Sequence, residues 1–136
     1  MSRLVLAIDD DKFVHKIIED ALAESCKLIR AKNGDEGLRL ALKYQPDIIL
    51  LDVEMPGMNG FEVCELLKKS PETLETPVMF LSSRSDISER MRGYNSGAAD
   101  YIVKPFNKEE LLARINVLDE YRQVSQRLKQ DMEQAQ

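Results

Sequence analysis

The stretch Asp47-Ile-Ile-Leu-Leu-Asp52-Val-Glu-Met-Pro-Gly-Met-Asn-Gly60 decides the fold. Its first half is a short, continuous apolar run, the pattern of a strand covered on both faces. The run ends in an acid and opens into a loop with Pro56-Gly57, a turn pair. A carboxylate at the end of a buried strand is costly unless something compensates it.

Other runs end in the same way. Leu4-Val-Leu-Ala-Ile8 ends in Asp9-Asp10-Asp11, Val78-Met-Phe-Leu81 in Ser82-Ser83, and Tyr101-Ile-Val103 in Lys104-Pro105. Strands are predicted at 3–8, 27–31, 47–51, 77–81 and 100–103, the second being the most mixed and therefore an edge strand. Helical periods alternate with them. Residues 12–24 carry Phe13, Ile17, Ile18, Ala21 and Leu22 as a stripe. Residues 34–44 stop before Pro46. Residues 59–69 carry Phe61, Val63, Cys64, Leu66 and Leu67. Residues 86–96 are weaker, with Ile87, Met91 and Tyr94 as the large apolar residues and Gly93 and Gly97 loosening the helix. This alternation predicts an α/β fold, a doubly wound five-stranded parallel sheet of order 2-1-3-4-5 with helices on both faces. Acid, acid, hydroxyl and amine then meet on the carboxyl rim, where such sheets bind ligands.

The last helix opens near Asn107 and meets neither Gly nor Pro through Gln136. Its first part, Leu111, Leu112, Ile115 and Leu118, suits packing on the sheet. Beyond it, Val117, Tyr121, Val124 and Leu128 recur at coiled-coil spacing. The expected organisation is a unit over residues 1–118 and a helical extension over 119–136. That extension is a linker or the start of a coiled coil toward an output domain, with a solvated frayed tail as the alternative.

The chain has 136 residues, 43% hydrophobic and 32% charged, which fits one globular domain. A net charge of -5 argues against direct nucleic-acid binding, which needs clustered Lys and Arg. The two cysteines, Cys26 and Cys64, form no CxxC pair and read as reduced, near-core thiols of a cytoplasmic protein. No run approaches the ~18 apolar residues of a membrane span.

Asp9, Asp10 and Asp52 brought together make a hard-oxygen site suited to Mg2+. Lys104 supplies a fixed positive charge for a phosphoryl oxygen and Ser82 a hydroxyl donor. Asp52 is then the candidate phosphoryl acceptor.

At these residues the sequence closely resembles the receiver domain of bacterial response regulators, over about residues 3–118. The resemblance rests on Asp9-Asp10-Asp11, on the loop Leu51 to Gly60, on Ser82, and on Tyr101-Ile-Val-Lys104-Pro-Phe106. Ser82 lies 30 residues after Asp52 and Lys104 lies 52 after it, as in the family. The resemblance implies a flavodoxin-like receiver that takes a phosphoryl group on Asp52 from a sensor histidine kinase or a histidine phosphotransfer protein. By the same resemblance Asp10 binds Mg2+ directly, Asp9 partly through water, and Glu54 through its backbone carbonyl. Lys104 binds the phosphoryl group, Ser82 moves toward it, and Tyr101 swings inward. It also implies a cis peptide before Pro105, and a readout face formed by helix 86–96, strand 100–103 and the last helix. The implied role is a phosphorylation-activated switch, not an enzyme acting on a separate substrate. The coiled-coil spacing of the last helix, apart from the resemblance, makes it the candidate surface for a homodimer.

Asp11 reads as a helix N-cap and the lone His15 as a surface residue. Glu54 and Arg84 are expected to flank the phosphoryl group as a facing pair. Two other classes compete. A haloacid-dehalogenase-type phosphatase requires a second aspartate where this chain has Glu54, and a cap for which there is no room. A flavodoxin-like cofactor binder requires a Ser/Thr-rich loop where Asp9-Asp10-Asp11 would repel phosphate.

Overall fold

The computed structural model describes residues 3–135. Five strands alternate with five helices: β1 Arg3–Ile8, α1 Lys12–Leu22, β2 Cys26–Ala31, α2 Gly34–Tyr44, β3 Ile48–Asp52, α3 Gly60–Lys69, β4 Val78–Ser82, α4 Ile87–Asn95, β5 Asp100–Val103 and α5 Lys108–Gln134. All strand pairs are parallel, in the order β2-β1-β3-β4-β5. The architecture read from the alternation therefore holds. Each strand lies within a residue of its predicted bounds, and Gln136, the expected last helical residue, lies outside the described residues.

The pleat splits the apolar runs between two faces. Leu6, Ile8, Ile49, Leu51 and Phe80 face Ala41, Phe61, Val63, Cys64 and Leu67 of α2 and α3. Val5, Ala7, Ile48, Leu50, Met79 and Leu81 face Val14, Ile18 and Leu22 of α1 and Leu111, Ile115 and Leu118 of α5. Strands β3 and β4 are buried throughout, which requires residues apolar on both faces. Burying each such Leu or Ile contributes about 2 kcal/mol.

Each helix starts on a short polar residue whose side chain accepts a backbone N–H of the first turn: Asp11, Asn33, Asn59, Asp86 and Asn107. Asn59 and Glu62 satisfy each other reciprocally at the start of α3. Helix α2 ends with Gln45 in the left-handed region at φ 45°, just before Pro46.

Some apolar positions of the predicted helical stripes are exposed. Phe13 is 82% exposed, because it sits on the first turn of α1 with its ring directed away from the sheet. Leu66 is also exposed. On α4, Ile87, Met91 and Tyr94 all face outward, and the residues turned inward are Glu89 and Gly93. Gly93 permits a close approach rather than loosening the helix: a Cβ there would lie 3.1 Å from the Phe80 ring and 3.3 Å from that of Tyr101. Helix α4 thus touches the sheet through a glycine and a carboxylate.

Helix α5 is tied to the underside of the sheet. Buried Asp119 accepts from Arg122 at 2.8 Å and from Gln123 at 2.9 Å. Arg122 also reaches Asp47, and Lys129 reaches Glu75 at 2.9 Å. On the outer side Val117, Tyr121, Val124, Leu128 and Met132 form an exposed apolar stripe.

Candidate functional site

The parallel register brings the ends of β1, β3, β4 and β5 to one rim. Asp52 and Ser82 are the last residues of β3 and β4, and Ser82 is in register with Val103, one residue before Lys104. The rim therefore collects the acid, hydroxyl and amine residues that the sequence put at strand ends.

Asp9 and Asp52 are fully buried and Asp10 is exposed, yet one oxygen from each lies within 4.8 Å of the others. Lys104 bridges two of them. Its Nζ donates to Asp52 Oδ1 at 3.1 Å and stands 3.0 Å from Asp9 Oδ2, an ion pair without hydrogen-bond alignment. Asp52 Oδ1 also accepts the Glu54 N–H at 3.2 Å, and Asp9 Oδ1 accepts the Asp11 N–H at 2.8 Å. Burial, then the charge of Asp9, push the Asp52 carboxyl up to about 7, against the opposing pull of Lys104. Burial works against the Lys104 charge, but Asp52 and Asp9 outweigh it and raise its pKa.

Two buried carboxylates facing each other with one ammonium leave a negative excess. Among the described residues the buried Asp9 Oδ2 has no hydrogen-bond donor. A hard divalent cation among oxygen ligands relieves both, so the donor set fits Mg2+.

The hydroxyl side is organised differently from expectation. Ser82 Oγ donates to Glu54 Oε1 at 2.7 Å, and Ser83 Oγ reaches the same oxygen at 3.2 Å. Arg84 turns away from Glu54. It forks onto Asp86 at 3.0 and 3.1 Å and pairs with Glu89 at 2.7 Å. The expected Glu54–Arg84 pair is therefore not formed, because Asp86 and Glu89 are nearer partners on the same loop and helix. Tyr101 is buried, with its hydroxyl donating to the Arg84 carbonyl at 3.0 Å. Its ring thus lies inward.

His15, expected on the surface, is buried, and its Nε2 donates to the Asp9 carbonyl at 2.7 Å. Residues 9 and 15 meet because α1 folds directly back over the end of β1, a contact with no periodic signature. Asp11 is the N-cap expected of it, accepting the Phe13 N–H at 2.8 Å. The Lys104–Pro105 peptide is cis. Glu89 escaped sequence reading, since a charged residue on a weakly amphipathic helix reads as solvated. A separate cleft at the opposite end of the sheet, lined by Pro46, Glu75, Tyr121 and Lys129 among others, holds none of these rim residues.

Comparison with known proteins agrees with this geometry. The family model described as the response regulator receiver domain matches residues 5–116. The cell cycle response regulator CtrA of Brucella ovis is 42% identical over 115 residues, 84% of this chain and 49% of that protein. The response regulator PleD of Caulobacter vibrioides is 38% identical over 131 residues, 96% of this chain and 29% of that protein. The chain thus spans half the length of these curated relatives or less. Among solved structures, chemotaxis protein CheY4 of Vibrio cholerae superposes with a TM-score of 0.83 at 30% identity, covering 87% of this chain and 99% of that one. With the sheet order, the acidic rim and these matches in agreement, the chain belongs to the response regulator receiver domain family, whose members are phosphorylation-activated signalling switches.

Proposed function

We propose that Asp52 is the phosphoryl acceptor of this receiver. The observation that carries the reading is its burial at the end of β3, within 4.8 Å of Asp9 and Asp10 and 3.1 Å from Lys104. One Asp52 oxygen attacks the phosphorus of a phosphohistidine in line. A P–O bond forms as the P–N bond breaks, and its electron pair leaves with the imidazole. The donor is a sensor histidine kinase or a histidine phosphotransfer protein. Lys104 pairs with a phosphoryl oxygen, and the Ser82 hydroxyl leaves Glu54 to donate to another.

Asp9, Asp10, Asp52 and the Glu54 backbone carbonyl would hold Mg2+. When bound, the ion neutralises the acidic cluster and keeps Asp52 ionised at neutral pH. The only chemistry assigned to the chain is gain and loss of its own phosphoryl group. Ser82 and Tyr101 are the switch residues, and the inward Tyr101 ring supports their coupling through the loop at Arg84.

Residues 1–118 form the receiver unit in this reading, and 119–136 carry the signal toward an output domain. Two chains pair along the stripe Val117, Tyr121, Val124 and Leu128, whose exposure and coiled-coil spacing support a second copy as its cover. The free thiols of Cys26 and Cys64 support a reducing, cytoplasmic setting. Among the described residues no helix is long and apolar enough to cross a membrane.

Incubation with acetyl phosphate and Mg2+, read by intact mass, tests the acceptor. One phosphoryl adduct on the parent and none on Asp52→Asn is the expected result. Equal labelling of both rejects Asp52.

A further inference from the structure

Ser82 carries one hydroxyl proton and stands between two carboxylates. Glu54 Oε1 is 2.7 Å from its Oγ and Glu89 Oε1 is 3.3 Å away. Glu89 belongs to the first turn of α4, and its side chain is 6% exposed, although Ile87 and Met91 of the same helix face solvent. A buried carboxylate on so polar a helix must be compensated. Its main compensation is Arg84 Nη1, 2.7 Å from Oε2. The Arg84 N–H in turn donates to Ser82 Oγ at 3.1 Å. Ser82, Arg84 and Glu89 thus close a small ring, joined to Tyr101 through the Arg84 carbonyl.

We propose that the Glu89 carboxylate is a built-in rival of the phosphoryl group, occupying in the resting chain the Ser82 hydroxyl and the Arg84 guanidinium that an anion on Asp52 would recruit. This rests on the reading of Asp52 as the acceptor. Carboxylate and phosphoryl oxygens compete for the same donors, and the two donors sit together at the end of β4 and on the loop that follows it. An incoming anion must draw Ser82 away from Glu54 and Glu89 together. Once Ser82 and Arg84 leave, Glu89 is buried without compensation, and the first turn of α4 must turn it outward. Binding at Asp52 is thereby linked to the position of α4. The cost of displacing Glu89 lowers the affinity of the resting chain for its anion.

Beryllofluoride with Mg2+ serves as the phosphoryl mimic, titrated into the 136-residue chain and read by 19F resonance. Glu89→Gln keeps the shape and removes the charge. It should bind beryllofluoride about fivefold more tightly than the parent, the equivalent of roughly 1 kcal/mol. Glu89→Asp, too short to reach both donors, should shift affinity in the same direction and stands in if the first variant does not fold. Unchanged or weaker binding in the folded variants overturns the proposal. In a Ser82→Ala background the gain from Glu89→Gln should fall below about half, as expected for groups that act through one another. An undiminished gain also overturns it. A parent that binds no beryllofluoride rejects the acceptor reading itself, a result distinct from failure of the competition.

Discussion

Lys104 stands 3.1 Å from Asp52 and 3.0 Å from Asp9, so one ammonium holds two buried carboxylates together. The three groups are the residue after β1, the last residue of β3 and the residue after β5, and the parallel register is what joins them. Removing the ammonium leaves two like charges facing each other without compensation. Lys104→Met should lose roughly 3 kcal/mol of stability at pH 8. The loss should be smaller at pH 5, where Asp52 takes up a proton. Urea denaturation at the two pH values checks this, and an equal loss at both would argue against charge as the cause.

The raised pKa of Asp52 gives stability a sign. The folded carboxyl keeps its proton up to about 7, whereas an unfolded aspartate loses it near 3.8. Between these values the unfolded chain binds fewer protons, so this group's contribution to stability is full below pH 3.8 and falls as pH rises to about 7. Asp52→Asn removes the dependence. Its advantage in melting temperature over the parent, measured without divalent ions, should grow from pH 4 to pH 8. A constant difference would show that Asp52 is not buried against Asp9 as described.

Mg2+ should counter the same repulsion. Millimolar Mg2+ is expected to raise the melting temperature of the parent at pH 7.5 by binding the folded state alone. Asp10 is exposed, so Asp10→Ala should fold normally yet lose most of the Mg2+ response and of the labelling by acetyl phosphate. Retention of the full Mg2+ shift in that variant would remove Asp10 from the ligand set.

Gly60 lies against the backbone that carries the acceptor. A Cβ at this position would press on the Asp52 carbonyl oxygen and come within 2.9 Å of Val53 Cα. Backbone cannot give way as a flexible side chain does. Gly60→Ala should therefore cost about 2 kcal/mol, despite the better helix propensity of alanine, and should slow phosphorylation by displacing Asp52. Unaltered stability and labelling would mean that the loop relaxes freely.

The apolar stripe of α5 predicts concentration-dependent association. Sedimentation of the full chain should show dimers that a chain truncated after Leu118 does not form. Beryllofluoride should increase the dimer fraction if aligned receivers assist a seam of barely two heptads. A monomer at all concentrations, with and without the mimic, would reject pairing through this stripe.

Period and punctuation in the sequence determined the architecture. Short apolar runs alternating with helical stripes admit a parallel doubly wound sheet, and that topology sends every strand end to one rim. Asp52, Asp9, Ser82 and Lys104 were legible as a group for that reason, and Asp11 as a cap because capping is local. The tertiary structure alone decided the partners across the rim. Arg84 chooses Asp86 and Glu89 over Glu54, His15 turns into the Asp9 carbonyl, and Glu89 is buried while Ile87 is not. These outcomes depend on where a loop and a short helix settle against the sheet, and on a glycine at 93 that lets α4 lie close to Phe80 and Tyr101. Distances between side chains on different elements have no period in the chain, so no reading of the sequence along its length contains them.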